Sequence, residues 1–199
     1  MTKAVFIDRD GTLIRNKPWN INPDTVELDD CATDALRLLQ QNDFLLLVLA
    51  NQGGIAKGHF TAKEVDVVNK RIADMLAAEG VYIDAFYYSP YHPDGIVTEF
   101  ARNSDDRKPA SGMLLKAADA FGIDLSHSWV IGDMLDDVEA GHRAGCTTIL
   151  YNNGNETDWR TDRFREPDYI VNDLYKAACA VCEIHEPRIV SYEFSLDPL

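Results

Sequence analysis

The chain has 199 residues, enough for one generous domain with a sizeable core and short for two. A formal charge of −14 and a pI of about 4.6 argue against a nucleic-acid backbone or an anionic membrane face as partner, although a local basic pocket or bound metal can still admit an anionic small molecule. No run approaches the roughly 18 apolar residues of a membrane span, and the amino end lacks a basic–apolar–small signal pattern, so a cytoplasmic protein is expected.

The first predicted element is a buried strand, Ala4–Ile7, running into Asp8-Arg9-Asp10-Gly11-Thr12, where Gly11 marks a turn. Ligands of open α/β sheets bind beyond the carboxyl ends of the strands. Residues i and i+2 of an extended segment project to one side, so Asp8 and Asp10 can face one reacting centre, one as nucleophile and the other as proton donor and acceptor. Two carboxylates placed together call for a neutralising cation such as Mg²⁺. From Leu13 to Pro23, two prolines, three asparagines, Lys17 and Trp19 read either as a flap over that site, with polar donors able to hold a substrate, or as a plain surface loop.

Asp29 or Asp30 is expected to cap a helix whose apolar residues Ala32, Ala35, Leu36 and Leu39 follow helical spacing and which closes near Gln41. Phe44–Ala50 is continuously apolar, as a parallel strand covered on both faces must be. It ends in Asn51-Gln52-Gly53-Gly54, a turn whose exposed N–H groups can approach a phosphate. Thr61-Ala-Lys-Glu64 is a capping box opening a long amphipathic helix that stops at Gly80. Tyr82–Tyr88 supplies a third strand, and Ser89–Asp106 a long loop of the kind that is usually functional or mobile.

Arg107 and Lys108 precede a helix over Ser111–Phe121. Cations are misplaced at a helix start, and a bound anion would repair the mismatch. Ser128–Ile131 is the fourth strand, ended by Gly132-Asp133-Met-Leu-Asp136-Asp137, so Asp133 occupies on this strand the place of Asp8 on the first. Such oxygen clusters suit a hard cation. The helix beyond ends at Gly145, and Thr147–Tyr151 and Tyr169–Val171 read as further strands. In the tail, Cys179 and Cys182 interleave with Ala and Val and are read as apolar packing, with His185 beyond; Val190–Leu199 is left as edge strand or loose end. The four cysteines, Cys31 and Cys146 included, are too scattered for a disulfide framework.

D-x-D-G-T, an Asn after the second strand, a Lys before a helix and G-D-x-x-x-D after the fourth strand, taken in order, resemble the haloacid dehalogenase (HAD) superfamily of aspartate-nucleophile phosphatases. The segments Phe6–Thr12, Asn51–Gly58, Tyr87–Gly95 and Arg107–Leu114 are similar to the D-glycero-D-manno-heptose-1,7-bisphosphate 7-phosphatase family, which lies close to the histidinol-phosphate phosphatases. The resemblance implies an α/β, Rossmann-like HAD fold: a central parallel sheet flanked by helices, without a large cap domain. Residues 1–175 would form this domain, and 176–199 a helix and tail packed on or extending from it.

Carried over by position, Asp8 would be the nucleophile and a metal ligand. Asp10 would be the acid and base, binding metal through its backbone carbonyl. Asp133 would complete the metal ligands, with Asp137 behind it. Lys108 would neutralise the transferring phosphoryl group and Arg107 recognise substrate. Asn16, Lys17 and Trp19 of the flap, with Asn51, Gln52 and Gly53, match substrate-contacting positions. The implied activity is Mg²⁺-dependent hydrolysis of a small-molecule phosphate ester, most readily a sugar phosphate, by a monomer through an aspartyl-phosphate. The alternatives are a histidinol-phosphate or other monoester phosphatase, or a homologue that binds phosphate esters without turnover.

The pattern is broken in three ways. Ala50 stands where the family has Thr or Ser, and Met134 where close relatives have Lys. Ser89, Tyr91, Ser104 and Asp106 replace the ligands of a zinc loop, so a structural Zn²⁺ is not expected, since His92 alone cannot hold one.

Overall fold

The computed structural model describes residues 1–17, 19–160 and 162–183. Six strands, β1 (Ala4–Asp8), β2 (Leu45–Asn51), β3 (Ala85–Ser89), β4 (Trp129–Gly132), β5 (Thr147–Tyr151) and β6 (Tyr169–Val171), form one parallel sheet in the order β3-β2-β1-β4-β5-β6. The chain winds outward from β1 in one direction, then returns to add β4 on its other side. The switch point therefore falls between β1 and β4, and an open α/β sheet presents its ligand crevice there.

Alternation along the strands explains the two faces. Val5 and Ile7 of β1, with Leu46 and Val48 of β2, join a core built with helices α1 (Ala32–Gln41), α2 (Ala62–Ala78) and α5 (Leu174–Val181). Ala4 and Phe6, with Leu47 and Leu49, point the other way, toward α3 (Gly112–Phe121) and α4 (Leu135–Ala144). Burying each Leu, Ile, Val or Phe side chain contributes about 1.5–3 kcal/mol, and both faces need cover, hence the apolar runs of β1 and β2. Parallel register sets Val5 opposite Leu46 and Trp129, and Ile7 opposite Val48 and Ile131. Asp8 at the end of β1 is thus level with the end of β4, and Asp133 follows one residue beyond that strand.

The Thr61–Glu64 capping box forms as expected, with Glu64 Oε2 accepting from Thr61 N at 2.8 Å. Elsewhere boundaries move. The second strand starts at Leu45 and runs to Asn51, not Phe44 to Ala50, and the fourth covers Trp129–Gly132 rather than Ser128–Ile131. The third begins at Ala85 rather than Tyr82: Tyr82 is 64% exposed, and Asp84 turns its carboxylate back to accept from Leu46 N at 2.7 Å. Neither Asp29 nor Asp30 caps α1; Cys31 is its N-cap, without a side-chain bond. Asp29 is taken elsewhere, accepting from Cys31 N and from the Tyr151 hydroxyl on β5 at 2.9 Å.

Helix α5 begins at Leu174, so the division expected after residue 175 falls inside it, and its Ala177 and Ala178 join the core beside α1. Cys179 is buried in that helix and Cys182 packs against the same core. Cys31, Cys146, Cys179 and Cys182 form no disulfide. His185 and the segment 190–199 lie outside the described residues. Among the described residues no helix is long and apolar enough to cross a membrane, and no inserted segment builds a second sheet.

Candidate active site

Asp8, Asp133 and Asp137 converge at the switch point, each offering a carboxylate oxygen within 4.8 Å of the others. Asp8 comes from the end of β1, Asp133 from the turn after β4, and Asp137 from the first turn of α4, three elements brought together by the sheet order. Gly132 makes the approach possible, since a Cβ there would lie 2.3 Å from the Asp137 carboxyl carbon. Gly11 does the same for Asp133.

Lys108 enters from the opposite side. Its ammonium is 4% exposed and contacts Asp8 Oδ1, Asp137 Oδ1 at 2.5 Å and the Leu49 carbonyl at 3.2 Å. Asn51 clamps the backbone of this lysine, donating to its carbonyl at 2.9 Å and accepting from its N–H at 3.0 Å. Three buried carboxylates against one ammonium leave negative charge uncompensated, and the titration behaviour reflects it. Burial pushes the Asp8 carboxyl well above the usual range, Lys108 draws it down, and Asp137 and Asp133 push it up again. Asp133 is raised to about 6, by burial first and by Asp137 second. Burial opposes the charged form of Lys108, but Asp137 and Asp8 together hold its ammonium more firmly than usual. An all-oxygen set with surplus negative charge fits a hard divalent cation.

Asp10 sits apart from the triad, in the cleft. Its Oδ2 accepts from Arg9 Nε at 3.0 Å, Arg9 Nη2 at 2.8 Å and Gln52 Nε2 at 2.8 Å, while Oδ1 is buried without a partner. The sequence reading gives Arg9 no role. It is in fact buried between Asp10 and Asn69, whose Oδ1 accepts from Nη1 at 3.0 Å. The only signal for it was its place between the two carboxylates.

A cleft of about 260 Å³ opens beside Asp10, lined on one side by the flap residues Asn16, Lys17, Trp19 and Asn20 and on the other by Asn51, Gln52, Gly53 and Arg107. All six expected substrate-side residues outside the Arg107-Lys108 pair therefore reach it, but not all are at liberty. Lys17 Nζ donates to the Thr25 carbonyl at 2.9 Å and to Glu27 Oε1 at 2.7 Å; Gln52 holds Asp10; Asn51 holds Lys108. Lys57 and His92 line the cleft as well and were not anticipated. Gly53 brings the backbone so close to Arg107 and His92 that a Cβ would lie 3.1 Å from each. Burial, then Arg107 and Lys57, keep the His92 imidazole below its ordinary pKa.

The loop after β5 is also unanticipated. Asn155 Nδ2 donates to Asp133 Oδ2 at 2.7 Å, Asn153 Nδ2 donates to the Gly11 carbonyl, and Glu156 Oε2 accepts from Leu135 N, the first residue of α4, at 2.7 Å. Among the positions that replace zinc ligands, Tyr91 lies tilted against Phe100 with centroids 6.0 Å apart and sits under Arg102; in the same loop, Ile96 N and Val97 N donate to the Ala56 carbonyl. Ser104 and Asp106 are engaged within the loop and with Lys116.

A HAD-hydrolase-like family model matches residues 106–177. Over 185 residues the chain is 35% identical to the D-glycero-beta-D-manno-heptose-1,7-bisphosphate 7-phosphatase of Escherichia coli, an alignment covering 92% of this chain and 96% of that protein. The chain belongs to the HAD family of phosphatases. Two solved structures share this phosphatase's fold. One is a HAD-like phosphatase from Mesorhizobium loti, with a TM-score of 0.81 and 28% identity over 94% of this chain and 90% of that one. The other is a D,D-heptose 1,7-bisphosphate phosphatase from B. bronchiseptica, complexed with magnesium and phosphate, with a TM-score of 0.80 and 26% identity over 92% and 99%.

Proposed function

We propose that this HAD phosphatase removes the 7-phosphate of a heptose 1,7-bisphosphate through an aspartyl-phosphate on Asp8, with Mg²⁺ as its metal. The observation that carries the reading is the convergence of Asp8, Asp133 and Asp137 on Lys108, with Asp10 held separately in the adjoining cleft. Asp8 and Asp133 would hold the cation, Asp137 supporting them through Lys108 and the start of α4. A bound Mg²⁺ supplies positive charge to the phosphoryl oxygens.

Asp8 attacks phosphorus, and the bond from phosphorus to the sugar oxygen breaks. Asp10 serves as the acid, giving a proton to that departing oxygen. Its carboxylate then takes a proton from water, which attacks the aspartyl-phosphate, frees inorganic phosphate and restores Asp8. Splitting the displacement in two lets one acid serve each half. Lys108 stabilises charge on the oxygens throughout, and Arg9 and Gln52 fix the Asp10 oxygen that does not carry the proton. Its unpaired Oδ1 is the one left for the reaction.

A second phosphate is supported by the charge of the cleft. In a chain of net charge −14, Lys57 and Arg107 both line one small hollow, and Arg107 is half-buried with no carboxylate among the described residues bonded to it. Such a placement suits an anion that stays on the substrate.

The test is phosphate release from a panel of sugar mono- and bisphosphates, histidinol phosphate included, with and without Mg²⁺. Release is expected to be Mg²⁺-dependent, fastest on the heptose bisphosphate and reduced by at least about a thousandfold in Asp8→Asn. Comparable turnover by that variant, or none by the parent on any ester, would reject the reading.

A further inference from the structure

Among the described residues, four buried side-chain polar atoms lack a hydrogen-bond partner: Asp10 Oδ1, both amide atoms of Asn20, and Ser89 Oγ. Three of the four belong to residues lining the cleft beside the acidic triad. Asp10 Oδ1 is accounted for by the chemistry. Asn20 is not.

The residue is only 8% exposed, yet Oδ1 and Nδ2 have no hydrogen-bond partner among the described residues. Buried amides without partners are costly and correspondingly uncommon. Described residues on both sides of it are pinned. Lys17 is tied to Thr25 and Glu27 before it. Trp19 adopts φ +50° and sets its ring 4.2 Å from that of His59. After it, Asn22 Oδ1 accepts from Asp24 N at 3.0 Å. The amide is held in the cleft wall with its hydrogen-bonding capacity unused.

We infer that Asn20 is a specificity-determining residue that reads hydroxyl groups on the organic part of the substrate. A carboxamide offers an acceptor and donors together, which matches a hydroxyl, itself donor and acceptor, or a neighbouring pair of them. A phosphate wants donors and positive charge, and Arg107, Lys57 and Lys108 already provide these. Asn20 therefore distinguishes a polyhydroxylated ester from an aryl or alkyl ester. Sites built to bond a hydroxyl reject analogues lacking it, because the site's own polar group is then stranded. The inference rests on the phosphatase reading above for the location of the substrate.

The experiment measures binding in an Asp8→Asn background, so that turnover does not intervene. Calorimetry with heptose 1,7-bisphosphate and with phenyl phosphate compares this parent with the same protein carrying Asn20→Leu, which removes both amide functions at similar volume. One or two lost hydrogen bonds weaken the sugar ester about 10- to 100-fold. The ratio of the two affinities is expected to fall by that factor, and the ligand-free melting temperature to hold or rise as the stranded amide disappears. Asn20→Ala, which adds space instead of bulk, must give the same change in ratio.

Equal weakening of both ligands would show that the flap has merely moved, and an unchanged ratio would show that Asn20 serves only a water. Either overturns the inference and leaves the phosphatase reading intact. If the parent binds neither ester, and wild-type protein releases no phosphate from any ester of the panel, the phosphatase reading itself falls and Asn20 with it.

Discussion

Asn155 Nδ2 lies 2.7 Å from Asp133 Oδ2, so the loop after β5 grips a carboxylate delivered by β4. Thr12 Oγ1 holds the other oxygen at 3.2 Å. Both bonds stabilise the ionised form of Asp133 against burial and the neighbouring Asp137, which oppose it. A metal needs that ionised form, so the two donors prepare the site.

Replacing Asn155 by Leu removes the stronger donor. Losing a partner of a metal-binding carboxylate typically costs 10- to 100-fold in metal affinity or activity. We expect the Mg²⁺ concentration for half-maximal activity to rise by about that factor, and the Mg²⁺-induced rise in melting temperature to need correspondingly more metal. Turnover at saturating Mg²⁺ should fall much less, since Asn155 touches neither Asp8 nor Asp10. A lower maximal rate at unaltered Mg²⁺ dependence would contradict this.

Gly11 makes a sharper demand on the same carboxylate. Its φ is +98°, and a Cβ there would lie 2.2 Å from Asp133 Oδ2 and 2.7 Å from Asn155 Nδ2. Gly11→Ala must therefore strain its own backbone and push Asp133 out of place. Gly80→Ala is the control: φ is +75°, but nothing lies within 4 Å of the added methyl. The left-handed conformation costs an L-residue about 1–2 kcal/mol, so both variants should melt lower. Only Gly11→Ala should also lose Mg²⁺ binding and phosphate release. Activity retained by Gly11→Ala would mean that Asp133 has another productive position.

These contacts mark where the sequence stops speaking. Asp8, Asp133 and Lys108 are legible because each follows a strong local signal, an apolar run ending in acid or a basic pair before a helix, and parallel topology must then bring such strand ends together. Asn155, Asn153 and Asn20 carry no such signal: polar residues in Asn-rich loops look alike until the fold sets one against a carboxylate and another in a cleft wall. Arg9 was hidden because the reading of this turn attended to its two acids alone. Its guanidinium nevertheless bonds the neighbouring Asp10 and reaches Asn69 on α2. Asp29 misled in the opposite sense, a good capping residue claimed by Tyr151 from β5.

The acidic triad also makes a statement about pH. Asp133 rises from 3.8 to about 6 in the metal-free fold. A group whose pKa is raised on folding supports the fold below its ordinary pKa and ceases to as pH climbs through the raised value. Without metal, this residue therefore withdraws about 3 kcal/mol of stability between about pH 4 and pH 6. Mg²⁺ binds the ionised form and should offset the loss. Melting curves at about pH 5 and pH 7.5 are expected to show a larger Mg²⁺-induced increase at the higher pH, and Asp133→Asn should erase the difference. A metal effect that grows on acidification would refute the argument.

Arg9 gives the last prediction. It heads the fully buried side chains by volume, and its guanidinium bonds Asp10 Oδ2 twice and Asn69 Oδ1 once. Arg9→Met fills much of the space but leaves the Asp10 oxygen with Gln52 alone and strands Asn69, itself buried. Removing one partner of a buried ion pair costs about 3–5 kcal/mol, and the access Asp10 keeps through the cleft places this case near the lower end. At roughly 2–4 °C per kcal/mol for a chain of this size, the melting temperature should drop by about 6–12 °C. The rate should fall with it, because Asp10 loses the two bonds that aim its free oxygen. Arg9→Lys separates the two effects. A lysine restores a charge near Asp10, and with it part of the stability, but not the fork that holds Asp10 and Asn69 in one plane. Differential scanning calorimetry paired with turnover at saturating Mg²⁺ should therefore find Arg9→Lys closer to wild type in melting temperature than in rate. If Arg9→Met kept both, Asp10 would owe its aim to Gln52 alone, and the buried guanidinium would have no part in the chemistry.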